Sequence, residues 1–200
     1  GAYTVTVTVT DDDGGSAQNT MTMDVRNRAP VVTASAPRQT PEGTPVDFTV
    51  ATFTDVAADD THTATIDWGD GTAAQNGTVT PPAAATPGSV SGSHTYTDDG
   101  TYTVTVIVTD DDLGERTDTF LVTVNNVAPA VGAPLNDTSG EGTTYSLAGF
   151  EFEDPGTADT HTATVNWGDG TGDEPLQIEA PVGGGPSTLS GSHLYADNGI

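Results

Sequence analysis

The chain has 200 residues, of which 34% are apolar, and a formal net charge of −25. Its 29 acids, 22 of them Asp, face four arginines (Arg26, Arg28, Arg38, Arg116) and no lysine. That balance excludes a nucleic-acid backbone as a partner, because phosphate contacts need Lys and Arg. It disfavours an anionic membrane surface and favours solubility and cation binding. There is no cysteine, which removes disulfides and leaves the redox compartment open. No apolar run approaches the ~20 residues of a membrane helix, so no membrane insertion is expected in this segment.

Residues 1–26 read as two strands joined at Asp11, Asp12 and Asp13. Seven further strands are expected, at Val31–Ala36, Val46–Phe53, Thr61–Trp68, Asn76–Thr80, Ser89–Thr95, Tyr102–Thr109 and Arg116–Val124. The sixth is the clearest. Tyr102, Val104, Val106 and Val108 point one way, and Thr101, Thr103, Thr105 and Thr109 the other, with Ile107 breaking the polar row. This period of two marks a half-buried strand, and β-branched Val and Thr suit a pleated surface. Gly, Pro and Thr interrupt every helical window. Seven short strands in about a hundred residues read as an immunoglobulin-like sandwich. Pro81–Gly88 is a Pro/Ala-rich loop, and Ala180–Pro186 is its Gly-rich counterpart.

The segment Asp60 to Thr72 returns almost unchanged at Asp159 to Thr171, an offset of 159 − 60 = 99 residues. Gly100-Thr101-Tyr102-Thr103-Val104 repeats Gly1-Ala2-Tyr3-Thr4-Val5 at the same spacing. The junctions Asn27-Arg28-Ala29-Pro30 and Asn126-Val127-Ala128-Pro129 share that register, and each proline favours extended geometry before it. Self-similarity of this kind is the mark of a tandem array. The expected domains are 1–26, the last two strands of a repeat; 27–126, a complete repeat; and 127–200, a repeat without its last two strands. Gly199-Ile200 sits where Gly1-Ala2 sits two periods earlier, so the missing strands are of the kind found at the start.

Trp68-Gly69-Asp70-Gly71-Thr72 and Trp167-Gly168-Asp169-Gly170-Thr171 lie at strand ends. Asp-Gly supplies the positive φ of a tight turn, and Trp fills the space between sheets. Asp98-Asp99-Gly100-Thr101-Tyr102 turns into a strand that begins with Tyr, whose hydroxyl can return to the backbone as a tyrosine corner. Together with His94-Thr95-Tyr96 ahead of that turn and Val108-Thr109-Asp110 at the strand's far end, these residues resemble the PKD (polycystic kidney disease) domain family. The resemblance covers essentially the whole chain, in one full and two partial copies. It implies an all-β fold of tandem immunoglobulin-like (PKD-type) sandwiches. It also implies an extracellular or cell-surface location, and roles as spacers or as protein- or carbohydrate-binding modules. Some bacterial members bind calcium at a pole near the domain junction.

In an immunoglobulin-like topology that pole gathers the second-to-third strand loop, the sixth-to-seventh strand loop and the N-terminal linker. Here these carry Asp55 and Asp60; Asp110, Asp111 and Asp112; and Asn27. Adjacent aspartates repel each other, and a hard cation with 6–8 oxygen ligands offsets this. Asp154 and Asp159, Asp11 to Asp13, and Asn126 are the equivalents in the other copies. Asp59 has no acidic equivalent, since Ala158 replaces it. The family's usual first loop is a tight D-x-D-G, whereas Asp55 and Asp60 here are separated by four residues with no glycine. The alternative is that these residues only cap turns and solvate loops. Asp70 and Asp169 belong to the opposite pole and are expected to be turn residues. His62, His94, His161 and His193 are expected to serve structural hydrogen bonds rather than zinc, which needs three or four convergent ligands.

No activated nucleophile stands out, so no enzymatic activity is expected. The expected function is a structural repeat segment of an extracellular fibre, stalk or surface-layer protein. Calcium would stiffen its junctions, and the chain would associate with itself or with neighbouring repeats, including by strand donation between units. The alternative is an adhesion or accessory module with a polysaccharide or protein ligand, though no exposed aromatic row is evident. General acidity of a halophilic source is a further reading of the charge.

Overall fold

A computed structural model describes the chain except residues 58, 84–85, 134–135, 181–184 and 198–200. The loops expected over Pro81–Gly88 and Ala180–Pro186, and the register of Gly199-Ile200, lie partly or wholly outside the described residues. Among the described residues no helix is long and apolar enough to cross a membrane. Contacts group in two compact units. One comprises Gly1–Pro37, Asp47–Ser93 and Thr103–Leu121, and the other Arg38–Val46, His94–Tyr102 and Val122–Ile200.

In the first unit, β1 (Ala2–Thr10) and β2 (Ser16–Asp24) form an antiparallel hairpin. Tyr3 pairs with Met23, Val5 with Met21, Val7 with Asn19 and Val9 with Ala17, so the apolar side chains share one face. That face is uncovered: Tyr3 is 61% exposed and Val9 67%.

The same unit holds most of a two-sheet sandwich. One sheet has the order β3 (Val31–Ala34), β5 (Val46–Thr54), β9 (Gly88–His94), β8 (Thr78–Thr80). The other runs β4 (Arg38–Pro41), β11 (Glu115–Asn125), β10 (Gly100–Asp110), β6 (His62–Asp67), β7 (Gln75–Asn76). Val104, Val106 and Val108 are fully buried, as the alternation of β10 predicts. Fully burying a side chain of this size stabilises by about 1.5–3 kcal/mol. Phe48 of β5 reaches across the core, with its ring centroid 6.2 Å from Trp68 and 6.0 Å from Phe120, both edge to face.

Two departures from the expected strands follow from contacts with segments distant in sequence. The single strand expected over Asn76–Thr80 is divided at Gly77. Before it, β7 pairs with β6; after it, β8 pairs with β9 in the opposite sheet. Gly77 passes so close to the core that a Cβ there would sit 2.6 Å from Val90 Cγ1, and its N–H donates to Ala64 O at 2.9 Å. Strands that change sheets make the corners of sandwiches. The other departure is β4, which no alternation announces. Arg38-Gln39-Thr40-Pro41 pairs in parallel with Val122 to Asn125, an edge position where a proline can end the ladder.

In the second unit, Tyr102 donates its hydroxyl to Asp98 O at 3.0 Å and Asp99 O at 3.3 Å, forming the expected corner. A four-stranded sheet has the order β12 (Ala130–Val131), β13 (Thr144–Glu153), β17 (Ser187–Leu194), β16 (Gln177–Glu179). β14 (Thr164–Asn166) pairs with β15 (Asp173–Pro175). The order β12-β13-β17-β16 parallels β3-β5-β9-β8. Its apolar side is only partly covered: Leu147, Phe150, Phe152, Val165, Ile178 and Leu189 line an open groove.

Candidate metal sites

The 99-residue echo is also a geometric one. His62 Nε2 lies 3.1 Å from Asp55 Oδ2, and His161 Nε2 lies 2.9 Å from Asp154 Oδ2. Phe53 packs against His62 at 4.8 Å, and Phe152 against His161 at 4.9 Å. In each case an aspartate at the end of a core strand is held by a histidine that the core itself positions. Backbone amides complete the grip: Ala57 N–H donates to Asp55 Oδ1 and Gly156 N–H to Asp154 Oδ1. The Asp154 carboxyl is held below its ordinary value, chiefly by His161, against the upward push of burial.

The first cluster joins Asp55 and Asp60 to Asp110, with carboxylate oxygens all within 4.8 Å of one another. Asp110 ends β10 and is 3% exposed. Burial pushes its carboxyl up, but hydrogen bonds from Asn27, Gly114 and Asp112 outweigh this and hold it low. Asn27 Nδ2 donates to both Asp110 oxygens at 3.1 and 2.9 Å, and Gly114 N–H donates to Oδ1 at 2.7 Å. Gly114 is required for this approach, because a Cβ there would sit 2.5 Å from Asp110 Oδ2. Asp111 Oδ1 accepts from Thr61 N–H at 3.0 Å, which ties the two loops together.

Asp60 behaves differently. Its Oδ2 is buried with no hydrogen-bond partner among the described residues. Burial raises its carboxyl, and the charges of Asp111, Asp55, Asp110 and Asp112 raise it further. An ionised carboxylate with an orphaned oxygen beside like charges is unfavourable unless a cation or a proton joins it. Residues of this kind suit a hard divalent cation, because the donors are all oxygen.

The structure therefore brings Asn27, Asp55, Asp60, Asp110 and Asp111 into one neighbourhood, with Asn27 placed as a donor to Asp110. Asp112 is exposed and supplies charge rather than a close oxygen. Asp11, Asp12 and Asp13 lie on the exposed hairpin turn, where Asp11 Oδ1 accepts from Gly15 N–H at 2.6 Å. Asn126 is exposed. Asp154, Asp159 and His161 form a second cluster of the same compactness. Asp159 also meets Glu42 and Asp98, neither of which the sequence marks as a ligand.

Asp70 and Asp169 are turn residues, as expected from the sequence. Asp70 Oδ1 accepts from Thr72 N–H and hydroxyl at 3.1 and 2.6 Å, and Asp169 Oδ1 from Thr171 at 3.1 and 2.7 Å. Asp169 Oδ2 also lies 2.7 Å from His193 Nε2. The Thr171 hydroxyl first, then His193, hold Asp169 down to about 2.

A family model described as PKD domain matches residues 27–124. No curated protein sequence matches the chain. Among solved structures, similarity is found to Protocadherin Gamma B7 extracellular cadherin domains 1-4, with 16% identity and TM-score 0.30 over 96% of this chain and 49% of that one. It is also found to PcdhgB3 EC1-4, with 11% identity and TM-score 0.33 over 95% and 57%. The Protocadherin GammaB4 extracellular domain gives 19% identity and TM-score 0.32 over 97% and 32%. The chain thus spans between a third and somewhat over half of the length of these structures. A PKD domain fits an extracellular structural or adhesion module. With its sandwich of two sheets, its Trp-Gly-Asp-Gly turn and its tyrosine corner, the segment from residue 27 to residue 124 has the features of the PKD domain family whose model it matches.

Proposed function

We propose that the chain is a segment of an extracellular, tandem-repeat structural protein whose aspartate clusters bind calcium and stiffen the joints between repeats. The repeats are those delimited at 1–26, 27–126 and 127–200. The observation that carries this reading is the buried, unpartnered Asp60 Oδ2, set within 4.8 Å of the Asp55 and Asp110 oxygens. Calcium tolerates irregular all-oxygen shells completed by water, which suits a cluster that opens to solvent at Asp111 and Asp112. Isothermal titration of the chain with calcium at moderate salt tests it. Stoichiometric binding is expected, weakened at least about tenfold for one site by Asp60→Asn. Heat that scales only with ionic strength, without a stoichiometric step, would assign the acidity to general charge instead.

A second element concerns self-association, and the uncovered apolar faces favour it. Phe48 and Phe120 pack together in the first unit. Their equivalents one period away are Leu147, in the open groove, and Met21, on the open hairpin face, since 48 + 99 = 147 and 120 − 99 = 21. The β1–β2 hairpin of a second copy fits that groove, adding strands to an uncovered edge. Sedimentation velocity is expected to show concentration-dependent association that Val7→Asp abolishes. Val7 lies on the exposed hairpin, so its replacement leaves the rest of the fold in place. A chain that stays monomeric at every concentration sinks this element and leaves the calcium reading standing.

A further inference from the structure

The least expected acid in the molecule is Glu42. It follows β4, between Pro41 and Gly43, where a sequence reading sees only a polar turn. Its side chain is nonetheless fully buried. Oε1 accepts from Val127 N–H at 2.6 Å, while Oε2 has no hydrogen-bond partner among the described residues. A buried carboxylate with one orphaned oxygen is costly in the absence of a counter-charge.

The backbone holds Glu42 in this place from several sides. Its own N–H donates to Asn125 O at 3.1 Å, and Gly43 N–H donates to Tyr96 O at 2.8 Å. Gly43 has φ +66°, and a Cβ there would sit 2.5 Å from Pro155 Cβ, so the turn lies directly against the 154–161 loop. Ala158 N–H donates to Thr97 O at 3.1 Å, which draws in the turn carrying Asp98. Gly156 leaves room for the carboxylates: a Cβ at that position would meet Glu42 Oε2 at 2.8 Å and Asp159 Cγ at 2.9 Å. The orphaned oxygen is thus aimed towards Asp159.

We propose that Glu42, Asp98 and Asp159 form a calcium site of their own, anchored by the buried Glu42 carboxylate and completed by water on the side of Asp98. Their oxygens lie within 4.8 Å of one another. Two ligands at a Ca–O distance of about 2.4 Å can be no farther apart than about 4.8 Å, so one ion can touch all three. Asp98 is exposed, which leaves coordination positions to solvent. Asp159 is shared with the Asp154 and His161 cluster. Asp154 already accepts from His161 and Gly156, and so braces the loop while Asp159 turns to the ion. The three oxygen donors suit a hard cation rather than zinc.

This inference rests on the calcium reading above, yet the two can fail separately. Calcium is titrated calorimetrically into the full chain, the Glu42→Gln, Asp98→Asn and Asp60→Asn variants, with folding checked by circular dichroism. Glu42→Gln keeps an acceptor for Val127 and removes the charge. It is expected to lower the calcium stoichiometry by one site, or to weaken that site at least about tenfold. Asp98→Asn is expected to weaken the same site, and Asp60→Asn a different one. If Glu42→Gln fails to fold, the exposed Asp98→Asn decides. Unchanged stoichiometry and affinity in a folded Glu42→Gln, or failing that in Asp98→Asn, overturns the Glu42 site, even where Asp60→Asn loses binding. The converse pattern retains the Glu42 site and removes the Asp60 one. No calcium binding to the unaltered chain removes both.

Discussion

Replacing Trp68 with alanine is expected to lower the unfolding free energy by about 3–5 kcal/mol, a large share of the roughly 5–15 kcal/mol available to a small domain. Trp68 is fully buried, with Phe48 edge-on to its ring at 6.2 Å. Its Nε1–H donates to Gln75 Oε1, in β7, at 3.3 Å, a bond that truncation also removes. The loss combines apolar transfer with a cavity that two facing sheets cannot close. Trp167 is the internal control, since it occupies the same motif in the second unit. It is only half-buried, lies stacked on His193 at 5.0 Å, and donates from Nε1 to Glu174 Oε2 at 2.9 Å. Trp167→Ala should therefore cost clearly less. Urea unfolding followed by far-ultraviolet circular dichroism measures both. Equal losses would contradict the contrast in packing.

This contrast bears on how far the sequence can be read. The two Trp-Gly-Asp-Gly-Thr turns are identical in letters, and the sequence assigns them one role. Alternation in β10 predicts the buried Val104, Val106 and Val108 because period-two patterning is local information. The aspartate pole was legible for a similar reason, since dense like charge stands out in composition. Glu42 was not legible. Its burial depends on Val127 and Gly156, which are 127 − 42 = 85 and 156 − 42 = 114 residues away. The strand β4 was hidden likewise, because a short parallel edge strand needs no apolar alternation of its own. Gly77 reads as a turn glycine, yet it marks a strand changing sheets, which only the close approach of Ile66 and Val90 makes clear. What escaped the sequence was fixed by distant partners rather than by neighbours.

Gly69→Ala is expected to be strongly destabilising, and Gly168→Ala only mildly so. Both glycines have φ +79°, in the left-handed region, so each substitution carries about 1–2 kcal/mol of backbone strain. Only Gly69 is also crowded. The β6–β10 register pairs Asp67 with Thr105, and its continuation brings residue 69 opposite residue 103. A Cβ on Gly69 would overlap the Thr103 carbonyl oxygen and lie 3.1 Å from Thr103 N, whereas among the described residues nothing lies within 4 Å of one on Gly168. Forcing a methyl against backbone adds about 1–3 kcal/mol, because backbone cannot rotate away as a side chain can. The total at Gly69 is then roughly 2–5 kcal/mol, against 1–2 at Gly168. The same urea transitions read the difference. Equal effects at the two positions would mean that the approach of the Thr103 backbone does not constrain the turn. A larger effect at Gly69 would mean that the motif's glycine serves turn geometry in one copy, and both turn geometry and strand packing in the other.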